Sequence, residues 1–117
     1  MPIEDQVRVS HMLDAAREIE QFTRGKQRFD LESNRQLFLS LLALFQILGE
    51  AAKHVSVSMR NAHPEVEWSA ASKMRDRLAH GYFDIDYDIL WDTSAQKIPM
   101  MISQLEGLVS QTKLDLG

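Results

Sequence analysis

The 117-residue sequence contains no cysteine and few residues that break helices. Without cysteine, disulfide bonds, thiolate zinc sites and cysteine nucleophiles are excluded. Only three prolines and five glycines punctuate the chain. No pair of turn signals brackets the alternation of apolar and polar residues that is typical of a strand. These absences predict an all-α protein.

The sequence also lacks a long apolar run and a positive net charge. The longest apolar-rich stretch, Leu37 to Leu48, is interrupted by Ser40 and Gln46 and is shorter than the roughly 20 residues that span a membrane. Acidic residues stand near the N-terminus where a secretory signal has a basic flank, so we expect a cytoplasmic protein without membrane association. The net charge of −4 disfavours a general nucleic-acid coat, and any contact with RNA must therefore be local.

Apolar residues recur at intervals of three and four along four segments, which is the spacing of amphipathic helices. The four predicted helices cover about residues 3–24, 30 or 33 to 60, 68–81, and 86 or 88 onward. Asp30 or Ser33 can cap the second helix, and Pro99 should kink the fourth near residues 95–99 because it removes a backbone hydrogen bond. Short links predict one domain, residues 1–117, folded as an antiparallel four-helix bundle.

The second predicted helix carries the most continuous apolar seam in the chain. Its apolar residues are Leu37, Phe38, Leu41, Leu42, Leu44, Phe45, Leu48, Ala51 and Val55. This stripe is wider than one partner helix could cover. The second helix is therefore central, or it also lines a dimer interface.

The segment from Met74 to Asp84 concentrates groups that can act on a phosphodiester. Arg75 offers planar donors for phosphate oxygens, and His80 can exchange a proton near neutral pH. Together they suit metal-free RNA cleavage, in which the ribose 2′-hydroxyl attacks the phosphate after a base removes its proton, and an acid protonates the departing oxygen. One histidine cannot readily perform both transfers, so the chemistry favours a symmetric dimer. The plain alternative is a solvated turn whose histidine complements the helix dipole.

Helix geometry constrains how Arg75 and His80 can meet. Five residues apart, they differ by about 140° around an ideal helix axis. Either the helix ends before His80, or Arg75 reaches around the rim, or the two groups pair between subunits. Asp76 lies four residues before His80 and shares its face, so a carboxylate–imidazole contact would hold the ring and raise its pKa.

The same segment resembles the Arg-x4-His-x-Tyr signature of the HepT-like branch of HEPN proteins, with Arg75, His80 and Tyr82 at the three signature positions. The stretch from Ile47 to Ala52 resembles the Gly-Glu-Ala helix motif of that family. Further matches follow in the expected order at Val66-Glu67-Trp68 and Leu90-Trp91. The resemblance covers nearly the whole chain.

The resemblance implies a homodimeric or larger HEPN-type assembly. Its implied activity is that of a metal-independent endoribonuclease toxin of a type II or type VII-like toxin–antitoxin system, acting on RNA without a cofactor. The implied partner is a minimal nucleotidyltransferase antitoxin, which adenylylates the motif tyrosine, here Tyr82. Some relatives are instead viewed as non-catalytic, substrate-binding or accessory subunits beside a nucleotidyltransferase, and that alternative function stays open.

Residues around the motif have supporting roles or plain structural ones. Glu50 could orient a base or an arginine, although a glutamate within a helix is more often exposed or bound to a lysine. Gly49 is expected to allow close helix packing despite its cost of roughly 1 kcal/mol in helix propensity. Lys73 and Arg77 share a helix face and either steer RNA phosphates or form a solvated surface.

The remaining polar clusters do not predict a metal site. The histidines, at positions 11, 54, 63 and 80, lack the spacing of known metal motifs. Asp84, Asp86 and Asp88 lack the glycine and terminal glutamate of a calcium loop, so helix capping is the better interpretation. Trp68 and Trp91 are expected to anchor the core.

Overall fold

The structure is a computed structural model that describes residues 2–79 and 85–116. Its elements are α1 (Ile3–Thr23), α2 (Asp30–Ser33), α3 (Arg35–Lys53), α4 (Val57–Ala62), α5 (Trp68–Ala79), α6 (Tyr87–Asp92), a π-helical segment (Thr93–Lys97) and α7 (Ile98–Leu116). Every element in these two ranges is helical, which confirms the predicted all-α class.

The helix α3 lies at the centre of the fold. It packs against α1 on one side and α5 on the other, while α1 also packs against α7. Its apolar side chains Leu41, Phe45 and Leu48 are almost completely buried, as the wide seam predicts. By length and composition α3 could cross a membrane, but half of it is buried within the protein, which is the pattern of a core helix.

The tryptophans have the packing roles expected of them. Trp68 is 5% exposed, and its indole Nε1 donates a hydrogen bond to the carbonyl of His63 at 2.9 Å. Trp91 is partly buried and packs against the core. Trp68 is therefore an anchor whose polar atom is satisfied inside the protein.

The predicted end of the second helix is wrong, because the helix does not continue to Arg60. It stops at Lys53, and α4 begins after Ser56. The Ser56 Oγ accepts from the Met59 N–H at 3.1 Å, and its own N–H and hydroxyl donate to the Asp5 carboxylate at 2.9 and 2.7 Å. Asp5 is only 3% exposed. A contact with α1 therefore stabilises a new helix start that local periodicity cannot reveal.

The predicted cap of this helix also needs correction. Neither Asp30 nor Ser33 caps α3, since Asn34 does so by accepting from the Leu37 N–H at 3.0 Å. The Asp30 carboxylate instead accepts from the Gln27 N–H at 2.7 Å, in the turn before α2. For α6 the prediction is confirmed, because Asp86 is its N-cap.

The π-helical segment lies where the sequence predicts a kink. Pro99 has no N–H to donate to the preceding turn, and the Ile98 N–H donates to the carbonyl of Thr93, five residues earlier. Hydroxyls satisfy carbonyls of α6, from Thr93 to Ile89 at 2.7 Å and from Ser94 to Leu90 at 2.8 Å. One wide turn thus accommodates the proline.

Candidate active site

Arg75 lies on α5 at a point where this helix closely approaches α3. Opposite it on α3 is Gly49: a Cβ there would overlap the Cβ of Arg75 and lie 2.6 Å from the carbonyl oxygen of Ala71. Such distances do not occur between real atoms, so this crossing requires glycine. The predicted packing role of Gly49 is confirmed.

Two carboxylates hold the guanidinium of Arg75. Its Nη2 lies 2.9 Å from Glu50 Oε2, and its Nη1 lies 2.9 Å from Asp76 Oδ1. The side chain of Arg75 is 29% exposed, whereas those of Glu50 and Asp76 are about half exposed at 49% and 58%. The arginine is thus oriented by ion pairs that solvent, or an anionic ligand, can reach.

Glu50 also contacts a histidine one turn further along α3. His54 Nε2 lies 3.0 Å from Glu50 Oε1. This hydrogen bond lowers the pKa of Glu50, partial desolvation opposes it, and the positive charges of Arg75, His54 and Lys53 lower it further. Glu50 therefore stays ionised to lower pH than an isolated glutamate and remains a partner for Arg75.

Arg75 and Glu50 line an open cleft of about 530 Å³ between α1, α3 and α5. Helix α1 contributes Arg8 and His11 to this cleft, and α3 contributes Ile47. No local pattern in the sequence points to Arg8, and the spacing of His11 from the other histidines indicates no site. Only the packing of α1 on α3 brings them beside Arg75. The cleft therefore combines two guanidinium groups with one imidazole, which can bind a phosphate and exchange protons.

Several predicted site residues lie outside the described ranges. These are His80 and Tyr82, together with Asp84 of the acidic edge and the predicted helix stop at Gly81. The pairing of Arg75 with His80 and the contact of Asp76 with His80 stay predictions. The structure shows in addition that the Asp76 carboxylate accepts a hydrogen bond from the Arg75 guanidinium.

Lys73 and Arg77 are exposed on α5 and differ by about 40° around the helix axis, so they share a face as predicted. Each is turned by about 200° from Arg75. The structure thus separates them from the cleft: Lys73 lines a different groove, beside α4. They could contact RNA only along another part of a bound strand.

Within residues 2–79 and 85–116, no group of three or more His, Asp or Glu side chains is placed to hold a metal ion. The histidines that have partners there are bound to single carboxylates. His54 contacts Glu50, and His63 Nδ1 lies 3.3 Å from Glu65 Oε1. These two histidines therefore have roles as hydrogen-bond partners of carboxylates.

Comparison with known proteins identifies the family. Residues 12–108 match the profile of the family described as "Ribonuclease HepT-like". "Probable ribonuclease HepT" of Thermococcus cleftensis is 33% identical over 90 residues, covering 77% of this chain and 82% of that protein. "Putative RNase MJ0127" of Methanocaldococcus jannaschii is 28% identical over 98 residues, covering 84% and 81%. "Putative RNase TTE0752" of Caldanaerobacter subterraneus subsp. tengcongensis is 28% identical over 105 residues, covering 90% and 94%.

The chain has no significant match to a solved structure. The family profile nevertheless spans Gly49, Glu50, Arg75, His80 and Tyr82, the residues on which the sequence resemblance rests. The chain therefore belongs to the ribonuclease HepT-like family.

Proposed function

We propose that the protein is a metal-independent endoribonuclease that cleaves RNA by attack of the ribose 2′-hydroxyl. The observation that carries the proposal is the placement of Arg75, held between Glu50 and Asp76 at the edge of an open cleft. Relatives that are 28–33% identical are named as ribonucleases, which supports the same substrate here.

In this mechanism Arg75 binds the non-bridging oxygens of the scissile phosphate and stabilises the charge that develops on them. The incoming phosphate competes with the Glu50 and Asp76 carboxylates for the guanidinium. The two carboxylates thereby keep the donors oriented until substrate arrives. His80 takes the proton of the 2′-hydroxyl or gives one to the leaving 5′-oxygen. The products are a 2′,3′-cyclic phosphate and a free 5′-hydroxyl.

The active unit in this proposal is a homodimer, or a larger assembly built from it. Each copy is an antiparallel four-helix bundle of HEPN type whose long helices are α1, α3, α5 and α7. Two copies meet through α3 and α5, so that both sets of Arg75 and His80 face one cleft and supply the acid and the base. Exposed apolar side chains on α3, Leu39 and Ile47, support an interface there because water disfavours such surface.

In the cell we place the protein in the cytoplasm as the toxin of a type II or type VII-like toxin–antitoxin pair. Its partner is a minimal nucleotidyltransferase that adenylylates Tyr82. The added phosphate would pair with Arg75 and block substrate by both bulk and charge. Co-expression with the partner should add the mass of adenylyl groups to Tyr82, and Tyr82→Phe should resist neutralisation. Full inhibition of an unmodified protein would contradict this regulation.

The deciding experiment is the incubation of purified protein with RNA in EDTA, followed by analysis of the ends. We expect 2′,3′-cyclic phosphates from the wild-type protein, a large loss of rate in Arg75→Ala, and no cleavage by His80→Ala. Arg24→Ala is a matched control, because Arg24 is exposed and, among the residues that the structure describes, forms its one ion pair with Glu20 at 3.8 Å. Loss of activity in EDTA, or full activity in His80→Ala, would contradict the proposal. An inactive wild-type protein would favour the accessory subunit.

A further inference from the structure

A second groove lies on the other side of α5 from Arg75. It is about 710 Å³ in volume and runs between α4, the first turns of α5 and the π-helical segment. Its polar lining residues are Arg60, Asn61, Glu67, Ser69, Lys73 and Lys97. We call it the α4–α5 groove.

The charges of the α4–α5 groove do not balance. Among the described residues, Glu67 is the one acidic side chain that lines the groove, and its carboxylate lies 3.3 Å from Lys97 Nζ. Arg60 and Lys73 have no ion pair with any side chain that the structure describes. Two positive charges therefore remain in this groove, although the net charge of the protein is −4.

Arg60 also has a hydrogen-bond donor for which the described residues provide no acceptor. Its Nε is buried and finds no hydrogen-bond acceptor among the described parts of the chain. A buried donor without a partner is unfavourable by about 1–3 kcal/mol and is uncommon in native proteins. Arg60 lines the groove, so an anionic oxygen entering it would give the guanidinium a charged acceptor, although Nε itself is buried.

The other polar groups around Arg60 also suit an anion. Ser69 and Ala70 belong to the first turn of α5 and line the groove, where the positive end of the helix dipole favours negative charge. The amide of Asn61 and the hydroxyl of Ser69 can each donate a hydrogen bond. Trp68 also lines the groove but is only 5% exposed, so it offers little area on which a base could stack.

We propose that the α4–α5 groove binds a backbone phosphate of the RNA substrate, outside the cleavage site. This rests on the proposed ribonuclease function and deepens it. Because phosphates carry no sequence information, a phosphate contact in the groove adds affinity without base preference. Lys73 and Arg75 lie on opposite sides of α5, so a strand that touches both must cross a helix about 10–12 Å wide. The contact therefore requires RNA that extends several nucleotides from the cleaved bond.

The test is binding of a fluorescently labelled 20-nucleotide RNA to the full chain in EDTA, followed by anisotropy over a range of salt concentrations. In a His80→Ala background, which prevents cleavage, Arg60→Gln and Lys73→Gln should each weaken binding several-fold. Each should also reduce the slope of log affinity against log salt by about 0.7, the value for one phosphate contact on a single strand. Arg24→Gln is the matched control and should bind as the background does.

Because Arg60 is partly buried, the exposed Lys73 provides the variant that keeps the fold. The proposal that the α4–α5 groove binds an RNA phosphate would be contradicted if both variants kept wild-type affinity and salt dependence. It would also be contradicted if the protein bound no RNA at all. With His80 intact, both variants should lose more cleavage rate on long RNA than on a dinucleotide, which is too short to span both sites. If the wild-type protein binds RNA through this groove but never cleaves it, the proposed ribonuclease function is wrong and the proposed phosphate binding in the groove is supported.

Discussion

Arg75 and Gly49 face each other across the α3–α5 crossing, and the absence of a side chain at Gly49 lets the backbones approach closely enough for Arg75 to reach Glu50. The position of the proposed catalytic arginine thus depends on a residue that has no functional group. The Ala71 carbonyl, one turn before Arg75, contacts the same position. Helix packing and site geometry are therefore linked at this point.

We expect Gly49→Ala to destabilise the protein. The new methyl group would gain about 1 kcal/mol in helix propensity, but overpacking of this kind costs about 1–3 kcal/mol, and one of the clashing atoms belongs to the α5 backbone. The net loss should appear as a lower urea midpoint, with reduced RNA cleavage because Arg75 is displaced.

The matched control for this change is Gly107→Ala on α7. A Cβ at Gly107 meets nothing within 4 Å, so this variant should be stabilised by up to about 1 kcal/mol. Equal effects of the two substitutions on the urea midpoint would contradict the close crossing.

The pKa of Glu50 should show whether its contacts with His54 and Arg75 are formed. Its pKa is lowered from the ordinary value of 4.5, first by the hydrogen bond with His54. A lowered pKa in the folded state means that Glu50 contributes stability above its unfolded pKa, and that this contribution disappears as the pH falls through the folded pKa. Carbon NMR of the Glu50 carboxyl should therefore show a midpoint below 4.5 in the wild-type protein.

Replacing His54 by Ala should raise the Glu50 midpoint, since the hydrogen bond that lowers it most is then lost. The charge of Arg75 remains, so the shift should be partial. His63→Ala serves as the control because His63 pairs with Glu65 and not with Glu50. An unchanged Glu50 midpoint in His54→Ala would show that this contact does not form in solution.

The Ser56–Asp5 contact should contribute measurably to the free energy of unfolding, although Ser56 lies between two helices. Ser56→Ala removes the cap of α4 and the hydroxyl that donates to Oδ2 of the buried Asp5, while the backbone N–H of residue 56 still donates to Asp5 Oδ1. Loss of a cap costs about 1 kcal/mol, and an unsatisfied buried acceptor costs about 1–3 kcal/mol. Denaturation in urea should show a loss of that order.

Ser58→Ala, at an exposed position of α4, is the control and should change the urea midpoint little. Asp5→Asn should reproduce much of the Ser56→Ala effect because it weakens the same contact from the other side. If Ser56→Ala is as stable as Ser58→Ala, the contact does not determine where α3 ends.

These cases show which features the sequence could predict. Apolar spacing located α1 and the centre of α3 because a helix repeats its buried face every three or four residues. The same spacing could not locate the break after Lys53, since that break depends on Asp5, which is 51 residues distant from Ser56. Likewise, Arg8 and His11 enter the cleft through the packing of α1 on α3. Contacts between distant segments produce no periodic pattern of apolar residues in the sequence.

The site was predictable to a similar extent. The pattern around Arg75 indicated a phosphate-binding group, and Gly49 and Glu50 were expected to assist it through packing and orientation. The sequence predicts Asp76 as a partner for His80, which lies outside the described residues, and the structure shows in addition that Asp76 pairs with Arg75 at 2.9 Å. Adjacent residues point in different directions on a helix, but a long arginine side chain can fold back toward its neighbour, which helix angles alone do not reveal.

The proposed dimer makes a prediction about Ile47. This side chain is 52% exposed on α3 and lines the cleft beside Arg75, so burial against a second copy would remove apolar surface from water. Ile47→Asp would place a charge in that interface and should shift the protein from dimer to monomer at micromolar concentration, with loss of RNA cleavage. Met100→Asp is the control because Met100 is 60% exposed on α7, which lies away from the cleft. Sedimentation equilibrium measures both masses: a monomeric wild-type protein, or an Ile47→Asp variant that stays dimeric, would rule out an interface centred on this face of α3.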